Sequence, residues 1–192
     1  MRCKPLFPIL LALGAAPAVA QDSAWYVGLG AGRLKTGDAC PAAAAPGADC
    51  EDKDTVWKLF GGYQFNRYLG YEVAIADMGE RTSFLPGIGV STARFRFFEM
   101  TLTGTLPLGQ QFSAYGKAGI FMWDVDYTLP AGFVGSADSH GNDYTFAAGL
   151  QYQFTRSLAL RLEWQRYNDV GDPAATGRFD ADTFGVGALI RF

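Results

Sequence analysis

Residues 181 to 192, ADTFGVGALIRF, carry the pattern that most restricts what this chain can fold into. Phe184, Val186, Ala188, Ile190 and Phe192 form one series; Thr183, Gly185, Gly187, Leu189 and Arg191 form the other. Period-two alternation of this kind marks a β-strand whose two faces meet different surroundings. One such strand could belong to a soluble sheet. The pattern's recurrence along the chain carries the weight.

Eight strands can be read. The first, about residues 24 to 32, sets Trp25, Val27, Leu29 and Ala31 against Gly28, Gly30 and Gly32. The second, about 55 to 65, sets Trp57, Leu59, Gly61, Tyr63 and Phe65 against Lys58, Phe60, Gly62 and Gln64. In the third, about 68 to 77, Tyr71, Val73 and Ile75 oppose Gly70, Glu72, Ala74 and Ala76. The fourth is clearest from Phe98 to Leu106, with Glu99, Thr101, Thr103 and Thr105 on the polar side. Upstream, Arg94 and Arg96 fall on the apolar register, so either a bulge shifts the phase or this part stands above a membrane. The fifth, about 111 to 126, has apolar residues in both phases. Lys117 is placed inward and Ala118, Ile120 and Met122 outward, because an ammonium in hydrocarbon is the costlier option. The sixth, about 143 to 154, and the seventh, about 158 to 168, alternate cleanly, the latter with Arg161, Glu163 and Gln165 inward. Residues 181 to 192 form the eighth.

Connections alternate between tight (66 to 67, 108 to 110, 155 to 157) and long (near 33 to 54, 78 to 92, 127 to 142 and 169 to 180). An up-and-down membrane barrel has this layout, with short periplasmic turns and longer extracellular loops, and eight strands put both termini on the periplasmic side. A soluble lipocalin-like barrel would bury its larger apolar series; here the opposite series carries glycine, threonine, glutamine and charge. Length agrees, since a strand of about 11 residues at roughly 3.3 Å per residue, tilted by roughly 40°, projects about 28 Å, near the hydrocarbon thickness. Trp25, Tyr63, Phe65, Tyr152, Phe154 and Phe192 fall near the periplasmic strand ends, as an interfacial aromatic girdle would.

Ahead of the strands, MRCKPLFPILLALGAAPAVA has Arg2 and Lys4, an apolar run from Leu6 to Leu13, and Ala18-Val19-Ala20 as a small-residue cleavage site. It reads as a signal peptide, residues 1–20, ahead of one domain, residues 21–192. Its removal takes two basic residues and moves the formal charge from −3 to −5, which gives no reason to expect a nucleic-acid partner. Cys40 and Cys50 remain, and an oxidising exported setting makes a local disulfide the default. After cleavage no apolar stretch approaches the roughly 20 residues of a membrane helix, which leaves a closed barrel open.

The segments AWYVGLGAG, WKLFGGYQFNRYLGYEVAIADMG, AYGKAGIFMW, LQYQFTRSLALRLEWQRYNDVGD and FGVGALIRF, in that order, resemble the transmembrane domain of the OmpA-like outer-membrane proteins. The resemblance implies a monomeric, all-β, eight-stranded antiparallel barrel. It also implies that the terminal aromatic strand with Phe192 is read by the barrel-insertion machinery. Many members of that family continue into a peptidoglycan-binding domain; this sequence stops at Phe192, so cell-wall tethering is not carried over. What remains resembles the short, barrel-only members, some of which contribute to envelope integrity, surface adhesion or resistance to host factors.

The inward charges are expected to be Lys58, Glu72, Glu99, Lys117, Arg161, Glu163 and Arg191. Unpaired charges in a narrow lumen are costly, so an ion-paired network is expected, particularly among Glu72, Lys117 and Arg161. Eight strands enclose a space just wide enough to be filled by side chains, which favours a plugged scaffold. By the same resemblance, Thr103 stands where a basic residue is expected. An enzyme is the weaker alternative. His140 beside Ser139 lacks an acidic orienter and reads as a solvated loop histidine. Asp124 and Asp126 are explained by strand alternation, so no metal or cofactor is assigned. Loop one carries Asp38, Asp49, Glu51, Asp52 and Asp54; a role in bridging to lipopolysaccharide through divalent ions stands beside plain solvation. Tyr127, Leu129 and Phe133 could contact a partner. The expected function is a structural outer-membrane barrel displaying four extracellular loops, in contact with phospholipid and lipopolysaccharide. A surface adhesin or host-factor resistance protein is the alternative, followed by a weak porin or a lipid-A-modifying enzyme.

Overall fold

The computed structural model describes residues 23–36, 50–51, 55–85, 89–128, 138–171 and 178–192. The signal segment, Cys40 and its pairing with Cys50, the loop acids Asp38, Asp49, Asp52 and Asp54, and Leu129 and Phe133 lie outside the described residues. So do the side chains of Cys50, Glu51, Asp126, Tyr127 and Ser139. Eight long strands organise the rest: β1 Ala24–Thr36, β2 Thr55–Gln64, β3 Leu69–Leu85, β4 Gly89–Pro107, β5 Phe112–Thr128, β6 Asp138–Gln153, β7 Leu158–Val170 and β8 Phe179–Arg191. Each pairs antiparallel with the next, and β8 pairs with β1 from Arg191 against Tyr26 to Ala181 against Thr36, which closes the ring. Closure leaves the eight-stranded wall without an edge. Its backbone N–H and C=O groups are therefore satisfied where no water reaches them.

β3, β4 and β6 outrun their sequence-based limits the furthest, and β1 also continues past the expected residue 32 to Thr36. β3 and β4 continue well past residue 77 and upstream of residue 98 as a paired hairpin, with Glu80 opposite Arg94 and Leu85 opposite Gly89. The stretch near 78 to 92, expected as a long loop, is therefore mostly strand. Its backbone is held by a neighbour, and the two-residue strand Cys50–Glu51 adds to its flank against Ser83 and Thr82. β6 begins at Asp138, which puts His140 in a strand opposite Asp124 and corrects its placement in a loop. In both places glycine and polar residues mask strand character in the sequence, while cross-strand pairing supplies it.

The open question about the fourth strand is also resolved. β4 pairs with β5 in unbroken register from Thr92 to Pro107, so its phase never shifts. The irregularity lies on β3, between Asp77 and Glu80, where Gly79 adopts φ 85° and its N–H donates to Asp77 Oδ1 at 3.0 Å. A left-handed glycine in a bulge is the usual device for such a step. Arg94 and Arg96 stay on the outer face, and Arg94 reaches Asp77 at 2.6 Å, just beyond Ile75 and Phe98.

Sidedness follows strand parity throughout. Leu29, Trp57, Ile75, Leu102, Ile120, Leu150, Leu162 and Val186 point outward and are exposed. The opposite parity is buried and divides into three layers. Near the short turns, Tyr26, Phe60, Ala74, Ala159 and Leu189 form an apolar floor. Gly28 makes this floor possible, because a Cβ there would enter the Phe60 ring and lie 2.6 Å from the Ala188 carbonyl oxygen. Charged side chains occupy the middle. At the loop end Phe97, Phe121, Trp123, Val125 and Tyr167 pack with Val56, Met78 and Val170 as an aromatic roof. The expectation of a lumen lined mainly by glycine, threonine, glutamine and charge therefore holds only for part of its height. An eight-stranded ring leaves room for side chains alone, and bulky rings fill it most completely.

Candidate functional site

The middle layer draws on five strands. Each contributes inward side chains because its sequence places a charge in the phase opposite its apolar series. Arg161 Nη1 donates to Glu72 Oε2 at 2.5 Å, and Lys117 Nζ donates to Glu72 Oε1 at 2.8 Å. Lys117 also lies 2.7 Å from Glu163 Oε2. Lys58 Nζ then joins Glu163 Oε1 at 3.1 Å to Glu99 Oε2 at 3.3 Å. The six residues Arg161, Glu72, Lys117, Glu163, Lys58 and Glu99 thus alternate in sign along one continuous chain. Its net charge is zero.

Neutral groups complete the coordination. The Tyr26 hydroxyl donates to Glu72 Oε2 at 3.0 Å and that of Tyr115 to Glu163 Oε2 at 2.8 Å, while Tyr167 donates to Glu99. Gln165 bridges Lys58, which donates to its Oε1, to Glu99 and Thr145, each accepting from its Nε2 at 2.9 Å. The Arg161 guanidinium donates through Nε to Gln151 Oε1 at 3.0 Å and stacks among the rings of Tyr26, Phe60 and Tyr115 at 4.9–5.2 Å. Glu72 and Glu99 are only 1 % exposed. Buried ions are tolerated when their remaining lone pairs and protons find partners, and here nearly all do. Thr103 is the exception: it faces Lys117 across the β4–β5 ladder, and its Oγ1 has no hydrogen-bond partner.

Sequence reasoning placed seven charges inside. Six lie in the alternating chain, while Arg191 lies apart at the turn end, its Nε buried without a partner. It missed Tyr26, Tyr115, Tyr167, Gln151 and Gln165 as partners, and the aromatic roof entirely. A signal for the roof was present: Phe121, Trp123 and Val125 share strand parity with Lys117. Placing Lys117 inward turns them inward as well.

The aromatic residues expected at the turn end fall into two patches. Trp25 stacks on Tyr63 with centroids 4.9 Å apart, Tyr63 meets Phe65 at 5.6 Å, and Tyr71 joins them. Across the ring, Tyr152 lies 4.8 Å from Phe154 and 4.7 Å from Phe112. Phe192 is exposed at the close of β8, its N–H donating to the Trp25 carbonyl at 3.0 Å. At the other end of the outer face, the apolar series gives way to Asp77, Arg94, Arg96, Asp124, His140, Arg166 and Asp182. Arg166 grips Asp182 in a bidentate pair at 2.7 and 2.8 Å. An apolar band bounded by rings on one side and by charge on the other has the order of a lipid-facing barrel surface. Among the described residues no group of His, Cys, Asp and Glu is arranged to hold a metal ion.

A closed antiparallel ring, apolar outside and ion-paired within, defines a transmembrane β-barrel of the outer-membrane kind. The chain belongs to the OmpA-like family, whose transmembrane-domain model matches residues 20–192. It is 33% identical over 138 residues to outer membrane protein A of Klebsiella aerogenes, covering 69% of this chain and 37% of that protein. With outer membrane protein A of Salmonella typhi it shares 29% over 199 residues, 98% of this chain and 55% of that one. The chain thus spans about half or less of these curated relatives. Among solved structures it is similar to neisserial surface protein A (TM-score 0.65, 12% identity, 90% of this chain and 100% of that one). It is also similar to OprG of Pseudomonas aeruginosa (TM-score 0.60, 16% identity, 89% and 96%). At such identities the likeness concerns the fold.

Proposed function

We propose that the chain is a sealed structural scaffold of the outer membrane, without catalytic or conducting activity, that anchors four loops at the cell surface with both termini in the periplasm. The observation that carries this reading is the stacking of the lumen: an ion chain with zero net charge lies between an apolar floor and an aromatic roof. A pore needs a continuous wetted path, whereas a ring filled in three layers stiffens the wall. Phospholipid and lipopolysaccharide are its contacts through the outer face, and the barrel-insertion machinery is its partner during assembly. It acts as a monomer. The test is electrical: purified barrel in a planar bilayer is expected to give no stable open level. A large, long-lived conductance in every insertion would overturn the sealed reading.

The surface-adhesin reading has one observation of its own. The β3–β4 hairpin stands beyond the Asp77–Arg94 pair as ordered, paired strand, a stiff stalk of the kind that presents a loop to a ligand. Binding of host cells to bacteria before and after replacement of residues 80–93 separates the two. Loss of binding with the barrel still inserted would favour the adhesin, and unchanged binding the scaffold.

A further inference from the structure

Three guanidiniums at the turn end stand outside the alternating chain of charges. Arg67 sits in the β2–β3 turn, Arg156 in the β6–β7 turn and Arg191 at the end of β8; together they line one open vestibule of about 360 Å³. Among the described residues no aspartate or glutamate lines it, and none of the three arginines belongs to an ion pair. Arg191 Nε is buried with no partner, a donor that water in the bulk would satisfy and the barrel wall does not. Arg161, deeper inside the barrel, is already held by Glu72.

The vestibule is built rather than incidental. Gln64 donates from Nε2 to the Asn66 carbonyl at 2.8 Å, and Gln153 donates from Nε2 to the Thr155 carbonyl at 2.7 Å. Two inward-pointing amides therefore brace the very turns that carry Arg67 and Arg156. On the deeper side, Gln151 must turn its Oε1 to Arg161, which can only donate, and this leaves the Gln151 NH₂ as a further donor. The mouth is thus rich in fixed donors and positive charge, with no aspartate or glutamate among the described residues that line it. Arginine forks match the oxygens of phosphate in pairs, and three cations around one mouth, Arg67 resting on the Tyr68 ring, favour an ion carrying more than one negative charge.

We propose that this vestibule binds a phosphate-bearing anion, entering from the turn end, with Arg191 as its anchor and Arg67 and Arg156 closing over it. Phosphate oxygens of this kind come either from a soluble polyphosphate or from the headgroup of a lipid in the leaflet that meets the turns. The experiment uses the folded barrel in phosphatidylcholine nanodiscs, titrated with pyrophosphate while the side-chain N–H signals of Arg191 and Gln151 are followed by NMR. A second arm uses phosphatidylglycerol nanodiscs without pyrophosphate. Saturable movement of both signals in the first arm assigns a soluble ligand, and the same movement in the second arm alone assigns a lipid headgroup.

Arg191→Gln is expected to weaken binding by about tenfold or more, Arg67→Gln and Arg156→Gln by about threefold each, and added salt to weaken it further. Arg33→Gln, at the opposite end of the barrel, is expected to leave it unchanged. Failure of both arms to move the Arg191 and Gln151 signals would overturn the proposal. So would pyrophosphate binding that Arg191→Gln leaves intact. The wild-type titration decides on its own if that variant does not fold.

Discussion

Replacing Glu72 by alanine is expected to cost the barrel about 3–5 kcal/mol of stability, a large share of what holds any domain folded. Glu72 is 1 % exposed and accepts from Lys117, Arg161 and Tyr26. Without it Lys117 still has Glu163, but Arg161 keeps only Gln151 and the three rings around it. A guanidinium only 6 % exposed between the apolar floor and the aromatic roof has little solvent to turn to. The penalty comes from the cation left behind and not from the bond removed, which gives the prediction its second half. Glu72→Gln combined with Arg161→Gln removes one charge of each sign and leaves the rest of the chain alternating. Most of the loss is then expected to return. Urea midpoints of barrels refolded into lipid vesicles measure both. A Glu72→Ala midpoint equal to that of the parent would mean that water fills the lumen and screens Arg161.

A change on the opposite side of the wall has an effect of similar size for the opposite reason. Leu162 on β7 points outward, is 57 % exposed, and lies between Leu150 and Val186 on the neighbouring strands. On the surface of a soluble protein, arginine in its place would be nearly neutral. Within hydrocarbon near the bilayer middle, Leu162→Arg is expected to destabilise by about 2–4 kcal/mol. Arginine at Tyr144, on the same face as the nearby Asn142 and His140 where the outer surface turns polar, should cost much less. Equal effects at the two depths would contradict a membrane around the band.

Both predictions rest on parity, and parity is what the sequence displays most openly. Outer and inner series could be assigned in most strands, though not in the upstream part of the fourth or, without Lys117, in the fifth, because hydrocarbon accepts only one kind of side chain, while the lumen accepts charge, glycine and rings alike. That permissiveness is also why the roof escaped notice: Phe121 and Trp123 look no different from lipid-facing residues until Lys117 fixes the phase of β5, and Phe97 until Glu99 fixes that of β4. Tyrosines were legible as aromatic rings and not as hydroxyl donors, so Tyr26, Tyr115 and Tyr167 were missing from the ion chain. Strand ends were the least legible. Residues 78 to 92 contain glycine, serine, threonine and proline, and only the pairing of β3 with β4 makes strand of 78–85 and 89–92. Arg191 shows the converse error, since its inward phase suggested a place among the paired charges while its position at the end of β8 sets it outside them. Pair geometry depends on depth, and depth is not written in the alternation.

Spin labels placed one at a time from Leu158 to Arg166, with the barrel in vesicles, test the membrane assignment most directly. Labels at Leu158, Leu160, Leu162 and Trp164 are expected to collide freely with dissolved oxygen and hardly at all with a water-soluble nickel chelate. The preference should peak near Leu162 and reverse at Arg166. Labels at the intervening positions should meet neither reagent, because they enter a filled lumen. Nickel reaching Leu160 and Leu162 as readily as Arg166, or oxygen shut out from both, would show that hydrocarbon does not surround this face.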